Sequence, residues 1–485
     1  MTQPTTLDAI PVAVPRPRRR KYLFRFLWLL FAIFVSVGLF WTYSYYTALW
    51  ERDALIAEIR AKGEPVWWEE VADDLLSRSW KGTGAERFRQ ACFALGWPIN
   101  PNGQKLPMKA VDDELKGKEL EPSLHPSIQH LLTLSDEALK LTYEAIELPP
   151  GLITTKLRNS EPVSIVLDET QDGRRLQRLL HWRSYDSLAK GRLLEAFEAA
   201  WASLALSEQY LHEPCAISHL VRLHLFGKGI EQLGMCLKFG SPSATEFERI
   251  DALLRRREDG FELKAALLAE RAMWITSLNQ SNDIWILAWN RRRESPRSPL
   301  SGAMLRWWSQ SVGSPLGKPM MLRVQAEYVD AFAQIAPEVD QPTSDPAAVL
   351  QFVERRNKGG LFQRSLDTEE DFNGKTLYFL VKRCHSVHRQ IVFIRLALRL
   401  RRHFDKHGRL PDKLDDLCDK TMPKIRLEWF QNQPIVYKPR ANGFRLELPE
   451  SIVSPDTRYR LKESPILSDY GLQVEFKTVK RGPTK

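Results

Sequence analysis

The sequence predicts a mainly α-helical protein. An N-terminal transmembrane helix is followed by antiparallel helical hairpins, stacked as a bundle or in a solenoid-like way, and by a small C-terminal β-hairpin. Three observations carry this reading. Phe26 to Trp50 contains no charged residue. From residue 55 to 406 the dominant pattern is apolar residues at helical spacing, interrupted by short Gly/Pro links. Further on, "IVYKPRANGFRLELP" alternates around Asn442-Gly443, the turn signal of a β-hairpin.

The first element is an anchor. As a helix, residues 26–50 reach about 37 Å, enough to cross a hydrocarbon core of roughly 30 Å. Trp41, Tyr43, Tyr45 and Tyr46 form an aromatic collar suited to a membrane interface. A cleaved signal peptide fits less well, because no small-x-small pattern follows and bulky Tyr46 stands just before Ala48. Arg16, Arg18, Arg19, Arg20, Lys21 and Arg25 precede or open the span, whereas Glu51, Arg52 and Asp53 follow it with mixed sign. The positive-inside rule therefore places the N-terminus in the cytoplasm and residues beyond about 50 across the membrane.

The helices follow in order. "VWWEEVADDLLSR" and "GAERFRQACFAL" read as short helices, and "PSIQHLLTLSDEALKLTYEAIEL" as one longer block ending at Pro149-Pro150. "EPVSIVLDE" (161–169) is compatible with a single strand. Helices are expected over 171–189, 192–211, 214–239, 243–258 and 261–279, with short links at Gly191, Pro214, Gly240 and Gly260. Ser243 with Glu246 three residues on forms a capping box. Short links between long helices imply antiparallel hairpins. Residues 280–318 are rich in Pro, Ser, Arg and Trp, and helices are expected over 318–335 and 345–356. The longest helix, 377–406, carries the stripe Leu377, Leu380, Cys384, Val387, Ile391, Ile394, Leu398. The divisions are thus a basic cytoplasmic N-terminus (1–25), a signal anchor (26–48) and a membrane-proximal helical region (51–150). A helical-hairpin domain (151–280) and a Pro/Trp/Arg-rich link with helices (281–375) follow. The long helix with its hairpin (376–450) and an irregular tail (451–485) complete the chain.

Composition narrows the function classes. The 485 residues suffice for more than one core, and 43% hydrophobic with 27% charged residues excludes wholesale disorder. Half of the net charge of +10 belongs to the N-terminal arm. What remains is too mild and scattered to indicate nucleic-acid binding. Five cysteines (Cys92, Cys215, Cys236, Cys384, Cys418) show no redox or zinc spacing, so the fold is expected to be held by core burial.

"HEPCAISHLVRLHLFGKGIEQL", "AALLAERAMWI", "LRVQAEYVDAF" and "RLALRLRRHFDKHGRLPDKLDDL" resemble a family of uncharacterised, membrane-anchored helical proteins of planctomycete-type bacteria, over roughly residues 50–450. These motifs are helix-packing patterns and bring no functional residue with them. What the resemblance implies is location: a bacterial envelope protein facing the compartment outside the inner membrane. Residues 377–449 also look like the mature region of type II secretion pseudopilins. In those proteins, however, the apolar segment is continuous with the long helix and follows a prepilin-peptidase site, and here it lies far upstream.

Candidate chemistry is sparse, since no nucleophile elbow, HExxH, dinucleotide fingerprint or Walker loop occurs. Glu270 falls within the stripe Leu263, Leu267, Trp274, Leu278, where a carboxylate must be paired or perturbed. If its helix packs on 214–239, a pair with Arg222 or His219 results, either as a polar lock between helices or as a catalytic carboxylate. His403 and His407 stand one turn apart and offer two metal ligands, but Gly408 and Pro411 read them as a helix ending with cations at its carboxyl end. No metal is expected there, and no cofactor anywhere. "RCHSVH" lacks the first cysteine of a haem-attachment motif. Cys384 reads as an inert buried thiol rather than a Cys384–His388 nucleophile pair. In 284–308, Trp285, Trp289, Trp307 and Trp308 interleave with Arg291, Arg292, Arg293, Arg297 and Arg306. They either fill gaps between helices or make a peripheral contact with anionic lipid or another polyanion. The functional expectation is a non-enzymatic envelope scaffold or partner-binding module. Its alternatives are an exported hydrolase using an inter-helix carboxylate and a pseudopilin-related secretion component.

Overall fold

The computed structural model describes residues 19–95, 125–154, 157, 167–280, 322, 372–417, 434–440, 442–448, 467–468 and 471–476. Outside them lie the 284–308 segment with all its Trp and Arg residues, Cys418, and the helices expected over 318–335 and 345–356, of which Leu322 alone is described. Met1–Glu58 with Gln280–Glu327 form one compact unit, and Ile59–Asn279 with Tyr328–Lys485 a second.

α1 (Arg19–Ala61) is a single continuous helix. From Tyr22 it is long and apolar enough to cross a membrane, with mean hydropathy 2.3 over its most apolar window and none of that window buried. Trp41 and Tyr45 stack at 5.4 Å on its aromatic collar.

In the second unit α2 (Trp68–Ser77), α3 (Ala85–Ala94), α4 (His125–Leu134) and α5 (Asp136–Ile146) come first. The helical block expected from Pro126 to Pro149 consists of two helices, parted at Ser135, whose N–H bonds back to Leu131 at 3.0 Å while Asp136 and Glu137 open a new helix. Acids in the first turn suit the positive helix end, and this local start outweighs the continuous apolar pattern. α6 (Leu167–Ala189), α7 (Leu193–Glu208), α8 (Ala216–Leu237), α9 (Ala244–Glu258) and α10 (Leu263–Gln280) follow within a few residues of expectation. Of the expected strand at 161–169, residues 167–169 belong to the first turn of α6; the remainder lies outside the described residues.

α7 is apolar almost all round and is buried on every face from Ala199 to Glu208, as expected of a central helix. α6 and α8 pack against it, and α8 also carries α11 (Phe372–His407). The stripe read from the sequence is the buried face: Leu380, Cys384, Val387, Ile391 and Ile394 are fully inaccessible. α11 ends at Gly408, whose φ of +68° only glycine adopts without strain and whose N–H reaches the Phe404 carbonyl at 2.8 Å.

Beyond it, β1 (Val436–Arg440) and β2 (Gly443–Glu447) form the expected hairpin. The tail expected to be irregular adds β3 (Leu467–Ser468) and β4 (Gly471–Glu475), giving an antiparallel sheet of order β1-β2-β4-β3. Leu472 and Val474 of β4 face Leu446 and Phe444 of β2 and are buried with them. That apolar face is what orders the tail, and its alternation is too short to stand out in the sequence.

Candidate functional site

The helical core buries an unusual set of charges, most of which fall into three clusters, with Asp186 and Arg401 buried apart in ion pairs of their own. In the first, Glu208 at the end of α7 accepts from Arg257 at 2.5 Å and from Arg222 at 3.4 Å. Arg222 also donates to the Phe261 carbonyl at 2.6 Å, and Arg257 to the Gly260 carbonyl at 3.2 Å. Both guanidinium groups lie over the Phe261 ring, 5.6 and 6.0 Å from its centroid. Two buried arginines therefore hold the turn between α9 and α10, with one carboxylate between them. Burial lowers the Arg222 pKa, and Glu208 works against that shift.

In the second cluster Arg395 of α11 binds Asp251 at 2.9 Å and also Glu258, both on α9. Burial alone would raise the Asp251 pKa, but Arg395, Arg255 and Arg399 together hold it below the ordinary carboxylate value. The third cluster surrounds the N-terminus of α8. The Glu213 carboxylate accepts from the N–H groups of Ile153 and Thr154, at 2.8 and 3.1 Å, and from the Thr154 hydroxyl at 2.5 Å. Glu270 accepts from the Ala216 N–H and from the Trp274 indole, each at 3.0 Å. Beside it Arg271 binds Glu64 at 2.9 Å and the Pro65 carbonyl at 3.1 Å.

The pairing expected from the sequence is replaced by another. Glu270 caps α8 at its first turn, where free N–H groups and the positive helix end favour a carboxylate. Arg222 is more than a turn further along and faces Glu208, and the His219 Nε2 is 2.9 Å from the Glu213 carbonyl. Burial raises the Glu270 pKa, against the two hydrogen bonds. Burial, with Arg222 alongside, pushes His219 down to about 3. Both groups are perturbed, and both are committed to backbone or indole partners. An open surface groove of about 680 Å³, lined by Glu86, Arg87, Gln90, Phe93, Glu137 and Leu141 among others, contains none of the candidate residues.

The other candidates resolve into local structure. The His403 and His407 rings lie 4.4 Å apart, His403 Nδ1 is 3.1 Å from the Arg409 carbonyl, and Asp405 turns to Arg401 at 3.0 Å. Among the described residues no group of three potential metal ligands forms. Cys384 Sγ is 3.4 Å from His388 Nδ1, but that nitrogen is closer to the Cys384 carbonyl, at 2.8 Å, and both side chains are fully buried.

Sequence reasoning passed over Arg395, Asp251, Glu258, Glu208 and Arg257. One of them announces itself: Arg395 interrupts the apolar run Ile391 to Leu398. A charge at the centre of such a run needs a buried partner. Glu208, Arg257 and Glu258 sit in ordinary charged helix ends, and Asp251 stands mid-way along the charged helix α9. Compared with family models, curated proteins and solved structures, the chain matches none.

Proposed function

We propose that this protein is a single-pass bacterial inner-membrane protein with its N-terminus in the cytoplasm. Its large helical domain stands outside that membrane and serves as a non-enzymatic scaffold or partner-binding module. The observation that carries the reading is α1: an apolar helix with none of its most apolar window covered by protein, following a run of basic residues. Support for the scaffold role comes from the side chains that sequence reasoning nominated for chemistry. Glu270, His219 and Arg222 each make hydrogen bonds that hold helices and turns together. The hydrolase alternative would need Glu270 released from Ala216 and turned toward a substrate cleft.

Protease added to intact spheroplasts tests the topology. Digestion of the chain beyond Trp50, with an N-terminal epitope protected, is the expected result, and full protection of the large domain would refute the orientation. A crosslinked pulldown from native membranes tests the scaffold role. Recovery of a stoichiometric protein partner is expected, and a chain that crosslinks to no protein would count against it.

A further inference from the structure

One face of the second unit is charged in the opposite manner to the three clusters. On α6, Arg174, Arg178 and His181 recur at helical spacing, and on α8 His224 and Lys228 do the same. α6 and α8 pack against each other, and the charge of Lys228 lowers the pKa of both imidazoles. From α11, Arg383 reaches across α8 at Gly227: a Cβ there would lie 2.6 Å from the Arg383 Nη2. The guanidinium therefore rests on bare helix backbone, in space that any other residue at 227 would contest.

Arg383, Lys228, Arg174 and Arg178 all act on His224. The acid beside them is Glu231, bound to Lys228 at 2.6 Å. Arg174 and Arg383 have no acidic partner among the described residues. The Nδ1 of His181 is buried without a hydrogen-bond partner. Arg174 is exposed and Arg178, Lys228, His224 and Arg383 are half-buried, so the cations converge on solvent-accessible space. Elsewhere this chain gives its buried arginines a carboxylate. Here three helices converge cations on two imidazoles, and among the described residues Glu231 is the acid that pairs with Lys228. Such a field favours an anion from outside.

We propose that this cradle binds a phosphoryl-type oxyanion, gripped by Arg383 and Arg174 and bridged to Lys228, with His224 and His181 at its floor. A tetrahedral oxyanion points its oxygens in several directions and can meet cations arriving from three helices, whereas a carboxylate presents two oxygens in one plane. The same chemistry is found in free inorganic phosphate and in the headgroup of an anionic phospholipid. The inference does not depend on the scaffold reading, because a partner-binding domain and an anion site succeed or fail separately.

The test uses the full chain in two settings. In uncharged detergent micelles, inorganic phosphate is titrated by equilibrium dialysis while the His224 imidazole is followed by NMR. In nanodiscs, phosphatidylcholine alone is compared with phosphatidylcholine containing phosphatidylglycerol. Bound anion raises the His224 titration midpoint from about 4 by about one pH unit. Arg383→Gln weakens binding roughly tenfold, the usual scale for one charge-assisted contact. Gly227→Ala, which keeps every charge but displaces Arg383, also weakens it. Arg256→Gln, which removes an exposed charge on α9, leaves it unchanged. A response to phosphate in micelles supports a free anion, and a response confined to phosphatidylglycerol nanodiscs supports a lipid headgroup. No response in either setting, or an equal loss in Arg256→Gln, overturns the proposal.

Discussion

Arg395 and Arg383 sit on the same helix, roughly three turns apart, yet they meet opposite surroundings. Arg395 is closed in by Asp251 and Glu258 of α9. Arg383 lies over Gly227 and faces Lys228, Arg174 and Arg178 across His224. Burial alone does not tell a structural charge from one awaiting a ligand; the sign of its neighbours does. A buried pair already has its counter-charge, and removing either member leaves the other unpaired. A cation among cations has nothing to lose within the protein, so its loss should be felt mainly by whatever anion it holds.

The largest expected effect is on pH stability, because more than one buried imidazole contributes to it. His219 beside Arg222 titrates at about 3, and His224 beside the cradle at about 4. Both lie below the ordinary imidazole value of 6.5, so between these values the unfolded chain binds more protons and stability falls as pH falls. Far-UV circular dichroism of the full chain should show a cooperative loss of helix between pH 6.5 and about 3. Phosphate should move that midpoint to lower pH by relieving His224 alone. A melting temperature flat from neutrality to pH 4 would mean that water already reaches these rings.

Next in size is Arg395→Ala, which leaves Glu258 buried without its cation, while Asp251 beside it keeps Arg255 at 2.6 Å and Arg399 at 3.8 Å. We expect a loss of roughly 3–5 kcal/mol, the scale for breaking a buried pair from one side. Thermal melting at neutral pH measures it. A loss under about 1 kcal/mol would mean that Glu258 takes up a proton or finds water readily.

Glu270→Ala should cost less, about 2 kcal/mol, because it orphans the Ala216 N–H and the Trp274 indole rather than a charge. Glu270→Gln keeps an acceptor in place. Because burial raises the Glu270 pKa, its contribution is fullest at pH below the unfolded carboxyl value and declines as pH rises through the folded one. The wild type should therefore lose ground to Glu270→Gln with rising pH. Parallel pH profiles for the two proteins would rule out the buried, perturbed carboxylate.

The sequence revealed the helices wherever one periodic stripe ran unbroken, as in Leu380 to Leu398 of α11 and the short links around α6 to α10. It said least where a local signal was weak. Ser135 is an ordinary polar residue inside an apolar rhythm, and β4 offers only Leu472 and Val474 as its buried face. For the charges it showed which residues were out of place, not what they would meet. Glu270 was recognisable as a carboxylate in an apolar stripe, but its partner is a backbone N–H at the start of another helix, and backbone donors leave no mark in a sequence. The cradle was invisible for a related reason. Arg174, His224 and Arg383 are each unremarkable within their own helix, and only packing brings like charges together.

The smallest expected effect is the most discriminating. Without added anion, Arg383→Gln should change stability by less than about 0.5 kcal/mol at neutral pH, since the packing lost over Gly227 is set against relief of repulsion. After burial, Arg383 is the leading cause of the lowered His224 pKa. Its removal should let that pKa rise from about 4 toward the ordinary value, narrowing the window in which unfolding takes up a proton. The variant should then melt higher than the wild type near pH 5, reversing or enlarging whatever small difference exists at pH 7. Paired melting curves at these two pH values measure the change of sign. A variant that melts well below the wild type at both would make Arg383 a lock like Arg395, and the contrast along α11 would fail.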